Sequence, residues 1–261
     1  MVRLAGDRLN LRLPFRPPYR FHAVASFLGA RAVEGIESFD GVRFLRDGIG
    51  IEANGADALK MTIPAEMERE REAIRARARR TFDLDADPDA IDAHLGRDPL
   101  LRPLLRRRPG PRVPIAWDPF ELAVRAIVGQ QISVRGATTI MNRLFAGGLF
   151  DARRLGRMPR RRIDAVRALA RSVEDDPTLL ARGTTLDSSI ERLTALPGIG
   201  PWTAHYIAMR ALGERDAFPH TDLGLRKAAS AIGIDPAKLL ARAERWRPWR
   251  AYATIALWES L

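Results

Sequence analysis

The sequence predicts a mostly α-helical protein that carries a small mixed α+β domain at its N-terminus. In the first part of the chain, Leu9, Leu11 and Leu13 alternate with polar residues, which is the period of a half-buried strand. After about residue 82, the apolar residues recur instead at helical spacing. With 261 residues, of which 46% are hydrophobic, the chain is long enough to bury a substantial core.

The N-terminal region is predicted to combine one helix with further strands. A helix over residues 19–37 places Phe27 in an apolar stripe that would face the core. Strands are predicted over 42–45 and 58–63, because both segments are rich in β-branched, aromatic and aliphatic residues. A turn is predicted at 46–48, where Asp and Gly follow each other.

The helical part contains one strong start signal. Asp118 suits the cap of a helix, Pro119 suits its first position and Glu121 suits its third. A helix is therefore expected to begin at residue 119. Further helices are predicted over 135–145, 161–173, 188–195, 201–212, 222–231 and 246–258.

A glycine hairpin, defined here as residues 196–200, connects two of the predicted helices. Its sequence is Leu-Pro-Gly-Ile-Gly, and Gly198 and Gly200 can adopt positive φ and let another backbone come close. Pro201 then suits the first position of the following helix. Free amides at a helix start beside a glycine turn form an anion site, which suits a nucleic-acid phosphate. An ordinary helix–helix turn is the alternative for this motif alone.

Composition limits the classes of partner and cofactor. A formal net charge of +11 and a pI near 11.1 favour polyanions, first nucleic acid and then an anionic membrane surface. Because the chain has no Cys, disulfides, thiolate zinc sites and cysteine-ligated iron–sulfur clusters are excluded. The four histidines show no metal-ligand spacing. Residues 1–7 lack the apolar core of a signal peptide and no segment is long enough to span a bilayer, so we expect a soluble cytoplasmic protein.

Asp222 is the candidate for a reacting carboxylate. Cleavage of a glycosidic bond passes through an oxocarbenium-like sugar, and a carboxylate can stabilise that positive charge or direct a water. An alkylated purine already carries a positive charge and leaves without a strong general acid, so a single carboxylate could suffice. Alternatively, Asp222 is only a favourable residue at a helix start, beside a capping Thr221. Asp216 is a weaker candidate in a loop.

Aromatic and amide side chains accompany this aspartate. Trp202 and Tyr206 are four residues apart and share one helix face, where electron-rich rings could stack on a cationic, flipped base. Trp258 is a similar candidate near the C-terminus. Gln130 and Gln131 follow an apolar helix where a core would favour Leu, so they could contact base edges or fill the gap left by a flipped base. Core packing for the rings and a polar loop for the amides remain the alternatives.

These residues carry a family resemblance that covers nearly the whole chain. The sequence resembles the bacterial DNA-3-methyladenine glycosylase II family of the helix-hairpin-helix (HhH-GPD) superfamily. The hairpin and the segments 202–206 and 247–253 are its specific parts. Supporting similarity is found in 16–19, 27–33, 82–84 and 120–133. The resemblance implies a helix-hairpin-helix DNA glycosylase fold and a monofunctional hydrolase of base excision repair. Its expected substrates are alkylated bases such as 3-methyladenine and 7-methylguanine in double-stranded DNA, removed by base flipping.

The resemblance also implies roles for individual positions. Asp222 matches the catalytic aspartate, and the positions that match the base pocket are Trp202, Tyr206, Trp258 and Gln130. The positions expected to contact DNA are Gly198, Gly200, Thr203 and Gln131. Gln131 falls where the family has its intercalating wedge, which is often Leu, and is therefore a departure from the family pattern.

The resemblance further separates this chain from bifunctional relatives. Those relatives place a Schiff-base lysine two residues after the second glycine of the hairpin, and here that position is Trp202. Because the amine nucleophile is missing, no lyase activity at abasic sites is expected. No cofactor is expected, apart from a monovalent cation that the hairpin carbonyls could hold. The expected partner is double-stranded DNA, with no membrane, and the expected state is a monomer in the bacterial cytoplasm, associated with the nucleoid.

Three domains are expected along the chain. Residues 1–82 form the mixed domain, residues 83–118 together with 215–261 form a helical domain that carries Asp222, and residues 119–214 form a helical domain that contains the hairpin. Two alternatives to an alkylated-base glycosylase stay open, a non-catalytic helix-hairpin-helix DNA-binding module and a glycosylase for a neutral lesion such as hypoxanthine or uracil. An Asp222 in an open cleft beside Trp202 would favour an enzyme, whereas a buried and capped Asp222 would favour the binding module.

Overall fold

The N-terminal region is built on an antiparallel sheet. The protein is described by a computed structural model that covers residues 7–156, 158–181 and 185–261, so the start of the predicted first domain, residues 1–6, lies outside the described residues. The strand order is β1-β5-β4-β3-β2. The strands are β1 (Arg8–Pro14), β2 (Glu37–Phe39), β3 (Arg43–Arg46), β4 (Ile49–Ala53) and β5 (Ala58–Pro64).

The predicted turn at 46–48 is confirmed, but it leads into a strand that the sequence pattern missed. Asp47 and Gly48 both have positive φ, 49° and 78°, and join β3 to β4 in a tight hairpin. Ile49 and Ile51 of β4 belong to the buried core and alternate with Gly50 and Glu52. The strand was missed because Gly50, Glu52 and Ala53 are residue types that strands rarely contain.

Two helices cover this sheet, and the first is shorter than predicted. Helix α1 spans Phe21–Gly29 and helix α2 spans Arg71–Thr81, after a 3-10 turn. A Cβ atom at Gly29 would lie 2.6 Å from Cβ of Phe39 in β2, so the glycine lets the chain end the helix and approach the sheet. The predicted continuation of the helix to residue 37 is wrong, because β2 begins there.

The rest of the chain is helical. Asp118 caps helix α5 by accepting a hydrogen bond from the backbone N–H of Glu121 at 3.0 Å, as its sequence predicts. The helices are α3 (Pro88–Leu95), α4 (Arg102–Arg107), α5 (Pro119–Val128), α6 (Val134–Leu144), α7 (Arg160–Asp175), α8 (Leu186–Thr194), α9 (Pro201–Ile207), α10 (Leu223–Ala231), α11 (Leu239–Ala243) and α12 (Arg250–Trp258). Helix α9 continues through a π-helical turn, Ala208–Leu212.

The buried apolar residues form two clusters. One contains the sheet and its two helices. The other runs through the helical part and includes Ile127 and Leu169 together with Leu225 and Tyr252, so the two predicted helical domains share a single core. The division into three domains stays a prediction.

The junction between the two clusters contains buried polar groups. Arg112 is 2% exposed and donates hydrogen bonds to backbone carbonyls, among them those of Arg16 at 2.6 Å and Ala86 at 2.9 Å. Asp83 accepts from the N–H of Val113 at 3.1 Å and from the hydroxyl of Tyr252 at 3.3 Å. Burial raises the pKa of Asp83 to about 6, although these hydrogen bonds and Arg112 oppose it.

Candidate active site

Asp222 lies at the start of helix α10 and caps it. Its Oδ1 accepts a hydrogen bond from the backbone N–H of Leu225 at 2.8 Å. The prediction that Thr221 is the cap is wrong, because the helix begins one residue later and the side chain of Asp222 reaches its first turn. The cap fixes the carboxylate to the end of a rigid element.

Two indole groups hold the same carboxylate. Nε1 of Trp258 donates to Oδ1 at 3.0 Å, and Nε1 of Trp202 donates to Oδ2 at 3.2 Å. A carboxylate offers about four lone-pair directions. Three N–H donors occupy three of them and orient the carboxylate of Asp222, with one direction left on Oδ2.

The rings that hold Asp222 belong to a continuous aromatic wall. Trp202 and Tyr206 are stacked with ring centroids 5.5 Å apart and an interplanar angle of 21°. Tyr206 contacts Trp258 at 6.3 Å. Phe27 of helix α1 stacks on Trp258 at 6.1 Å and 18°. The sequence assigned Phe27 to a core stripe, whereas the structure brings it to this wall, together with Arg31 one helical turn later.

An open cleft lies over this wall. Its volume is about 840 Å³, and Asp222, Trp202, Tyr206 and Trp258 all line it. Phe27 lines it as well. Asp222 is half-buried and caps α10, as the binding-module alternative would have it, but its carboxylate also lines the cleft beside Trp202, which favours an enzyme.

Three arginines act on Tyr206 with their charges, and two of them, Arg31 and Arg125, line the cleft. The guanidinium of Arg31 lies over the ring of Phe27, 3.5 Å from its centroid, and Nη1 of Arg210 donates to the hydroxyl of Tyr206 at 3.1 Å. Burial alone would raise the pKa of Tyr206, but the charges of Arg210, Arg31 and Arg125 outweigh it and lower that pKa. The sequence did not indicate this cluster, because its members come from three distant segments.

The glycine hairpin joins helices α8 and α9. Gly198 has φ of 78°, and a Cβ there would lie 2.7 Å from Cβ of Ala165, so both the conformation and the packing require glycine. Gly200 differs from the expectation of positive φ, because it is extended at φ −87° and caps α9. A Cβ at Gly200 would meet nothing within 4 Å, which leaves its backbone open to an approaching partner.

Gln130 and Thr203 form a link behind the hairpin. Nε2 of Gln130 donates to the carbonyl of Gly198 and to Oγ1 of Thr203, both at 3.0 Å. Gln130 is therefore placed on the hairpin and is absent from the residues that line the cleft, unlike the predicted base-pocket role. Thr203 is 2% exposed, so only its backbone N–H, in the first turn of α9, is free of an intrahelical acceptor and suited to DNA.

The predicted wedge position lies in the turn between α5 and α6, residues 129–133, here called the wedge turn. Gln131 is exposed and has φ of 59°, which is uncommon for a residue with a Cβ. The guanidinium of Arg162 donates to the carbonyl of Gln130 and thereby joins the wedge turn to helix α7. Ile132, the next residue, is 38% exposed and lines the cleft.

The weaker candidates lie elsewhere. Asp216 accepts from Arg247 at 2.5 Å and from Arg250 at 2.8 Å, so it forms an ion-pair network and does not line the cleft. Within the described ranges, no group of three or more His, Asp or Glu side chains is arranged to hold a metal ion. No helix in those ranges is both long and apolar enough to cross a membrane.

Comparison with known proteins agrees with this architecture. The family model of the AlkA N-terminal domain matches residues 10–118. A curated relative from Mycobacterium tuberculosis, named probable bifunctional transcriptional activator/DNA repair enzyme AlkA, is 39% identical over 98% of this chain. The chain spans 58% of that relative's length.

Two further matches cover both partners almost completely. DNA-3-methyladenine glycosylase 2 of Escherichia coli is 30% identical, and the match covers 94% of this chain and 95% of the relative. A solved 3-methyladenine DNA-glycosylase from Archaeoglobus fulgidus has a TM-score of 0.76 at 20% identity, covering 95% of this chain and 97% of that one, which shows the same fold. By its hairpin, its capped aspartate and its match over nearly the full length, the chain belongs to the DNA-3-methyladenine glycosylase 2 family of helix-hairpin-helix (HhH-GPD) glycosylases.

Proposed function

We propose that this protein is a DNA glycosylase that hydrolyses the N-glycosidic bond of alkylated bases in double-stranded DNA, the first step of base excision repair. One observation carries the proposal: an aspartate fixed by three N–H donors lies in an open, aromatic-walled cleft. Its substrates would include 3-methyladenine, which the name of the Escherichia coli relative specifies, and 7-methylguanine.

The cleft suits a base that has left the duplex. Flipped bases are held by stacking, and the wall formed by Trp202, Tyr206 and Trp258 offers electron-rich faces to a cationic ring. When the C1′–N bond breaks, its electron pair stays with the base and the sugar becomes an oxocarbenium ion. The Asp222 carboxylate stabilises that cation or directs a water, which attacks C1′ and gives up a proton to leave an abasic sugar.

DNA would be held outside the cleft by backbone and charge. The open backbone of Gly200 and the free N–H groups of Trp202 and Thr203 are suited to a phosphate, and the net charge of +11 adds salt-dependent affinity. Gln131 is exposed on the wedge turn and would enter the minor groove as a monomeric protein bends the duplex. A monovalent cation at the hairpin carbonyls would strengthen the grip.

Asp222→Asn tests this function. Asparagine caps a helix about as well as aspartate does, so the fold should be kept, while the stabilising charge is lost. We expect release of methylated purines from duplex DNA to fall by roughly 100-fold or more, with the affinity for duplex containing an abasic-site analogue nearly unchanged. No strand cleavage at abasic sites is expected from either protein, because the position of the Schiff-base lysine is Trp202.

Asp235→Asn is the matched control. Asp235 is exposed and lies outside the cleft, and its side chain accepts a hydrogen bond from the N–H of Ala237 at 2.9 Å. It should release bases at the wild-type rate. Wild-type protein that binds duplex DNA but releases no methylated base would contradict the proposed function, and equal loss of binding and excision in the Asp222 variant would remove the assigned role of the carboxylate.

A further inference from the structure

Exposed apolar side chains are concentrated around the opening of the cleft. Among the described residues, seven large apolar residues expose more than a third of their surface, and four of them line the cleft: Ile132, Val134, Leu223 and Leu261. The cleft is lined by 24 of the 261 residues, so a random placement would put fewer than one of the seven there. Single exposed apolar residues are ordinary, whereas a group of them at one opening marks a contact surface.

Leu223 is the most exposed of these residues and contributes little to the core. It is 83% exposed. Helix α10 begins with it and packs into the core through Leu225, Ala228 and Ala229, so the side chain of its first residue adds almost nothing to the stability of the fold. The apolar surface of Leu223 gains free energy only when a partner removes it from water.

The position of Leu223 is fixed relative to the reacting carboxylate. Asp222 precedes it in the chain and caps the same helix through the N–H of Leu225 at 2.8 Å. A Cβ atom at Gly224 would lie 3.3 Å from Oδ1 of Asp222 and 3.7 Å from Nε1 of Trp258, so the first turn of α10 lies directly against the carboxylate and the aromatic wall. A nucleotide with its C1′ at Asp222 therefore brings its sugar next to residue 223.

The same opening carries a free positive charge. Arg108 is exposed, lines the cleft and forms no ion pair with any described residue. An opening that combines apolar side chains with an unpaired guanidinium matches DNA, in which the apolar faces of sugars and bases lie between phosphates. A purely apolar partner would leave the charge of Arg108 without a counter-charge, so the opening fits a nucleic acid better than an apolar protein surface.

We propose that Ile132, Val134 and Leu223, here called the apolar rim, pack against the displaced nucleotide and its neighbours, and that Leu223 contacts the displaced sugar itself. The proposal rests on the glycosylase function above, because it places that sugar at Asp222. In an intact duplex no nucleotide enters the cleft and the rim stays in water, so the rim adds affinity for opened DNA alone. The rim is distinct from the wedge position, because Gln131 is polar and does not line the cleft.

Leu223→Ala tests the rim without unfolding the protein. Full-length protein would be titrated with two duplexes of equal length, one undamaged and one containing a tetrahydrofuran abasic-site analogue. The variant should bind the analogue roughly 5- to 20-fold more weakly, because the apolar surface of the leucine is no longer buried on binding. Its affinity for the undamaged duplex should change by less than about 2-fold, and the salt dependence of both affinities should stay as in the wild type, because no charge is removed.

Leu149→Ala is the matched control. Leu149 is 80% exposed, almost as much as Leu223, but lies outside the cleft. This control should bind both duplexes as the wild type does. Leu223→Met keeps the apolar surface and should restore most of the preference for the analogue, whereas Leu223→Asn, similar in size but polar, should behave as Leu223→Ala does.

The outcomes for the rim and for the enzyme are separable. An equal loss on both duplexes in Leu223→Ala, no loss on either, or the same loss in Leu149→Ala would overturn the proposal. Wild-type protein that releases methylated purines alongside any of these results would leave the glycosylase function standing. Wild-type protein that releases no methylated base, and yet prefers the analogue through Leu223, would contradict the glycosylase function and support the rim as a surface for opened DNA.

Discussion

Arg46 and Arg31 border the same small cavity, but only Arg46 is paired with carboxylates among the described residues. Arg46 is bonded to Glu121 through two nitrogens, at 2.6 Å and 2.9 Å, and also to Glu37. Arg31 has a ring and a carbonyl as neighbours and no carboxylate among the described residues. The comparison indicates that the charge on Arg46 holds the sheet to helix α5, whereas the charge on Arg31 is left available to the cleft.

The largest effect on stability is expected from breaking the ion pair between Arg46 and Glu121. Glu121→Gln keeps the shape of the side chain and removes one counter-charge from the buried guanidinium of Arg46. Removing one partner of a buried ion pair costs about 3–5 kcal/mol, so the urea midpoint of unfolding should fall accordingly. A loss below about 1 kcal/mol would show that Arg46 does not depend on this pair.

Asp83 is the complementary case to the two arginines, a buried carboxylate whose pKa is raised by burial. Its folded-state pKa of about 6 lies above the ordinary value of 3.8, so the folded protein binds this proton more tightly than the unfolded chain. The contribution of Asp83 to the free energy of unfolding therefore falls as pH rises from 3.8 to about 6, by about 3 kcal/mol in all.

Asp83→Asn removes this titration while keeping an acceptor for Val113 and a partner for Tyr252. In urea unfolding, the stability of the variant relative to the wild type should increase by about 1.4 kcal/mol between about pH 5 and about pH 8. Parallel stability curves for the two proteins over this range would contradict the raised pKa.

The smallest effect on stability is expected from replacing Arg31. Arg31→Gln removes a charge that no ion pair satisfies and relieves its repulsion with Arg125 and Arg210, so the free energy of unfolding should change by less than about 1 kcal/mol. The measurement is the same urea titration used for Glu121→Gln. A loss as large as that of the paired site would mean that Arg31 is a structural residue, and the contrast between the two arginines would be lost.

Local sequence signals predicted the parts of the molecule that depend on neighbouring residues. The cap and proline that begin α5, the turn at 46–48 and the hairpin with its following helix are all encoded within a few positions. Asp222 and Trp202 could be singled out from local sequence, because a carboxylate after the hairpin suits a glycosidic bond and Trp202 shares a helix face with Tyr206.

The parts that were missed depend on contacts between distant segments. Phe27 reads as a core residue of an amphipathic helix, and only the fold shows that its ring meets Trp258. The hydrogen bonds of Gln130 to the hairpin join residues 68 and 73 positions apart, so no spacing rule could indicate them. The spacing of Phe27 and Arg31, one helical turn apart, was the available signal for the extended cleft.

The hydrogen bonds of Gln130 have a consequence for how DNA would be scanned. They join the wedge turn to the hairpin, and Arg162 joins it to α7, so the group proposed to enter the groove and the backbone proposed to hold a phosphate are connected by direct hydrogen bonds. The interval along the strand between the gripped phosphate and the interrogated nucleotide is then constant. On this proposal, each one-nucleotide step of the protein would present one new nucleotide for testing, and the two elements would advance together.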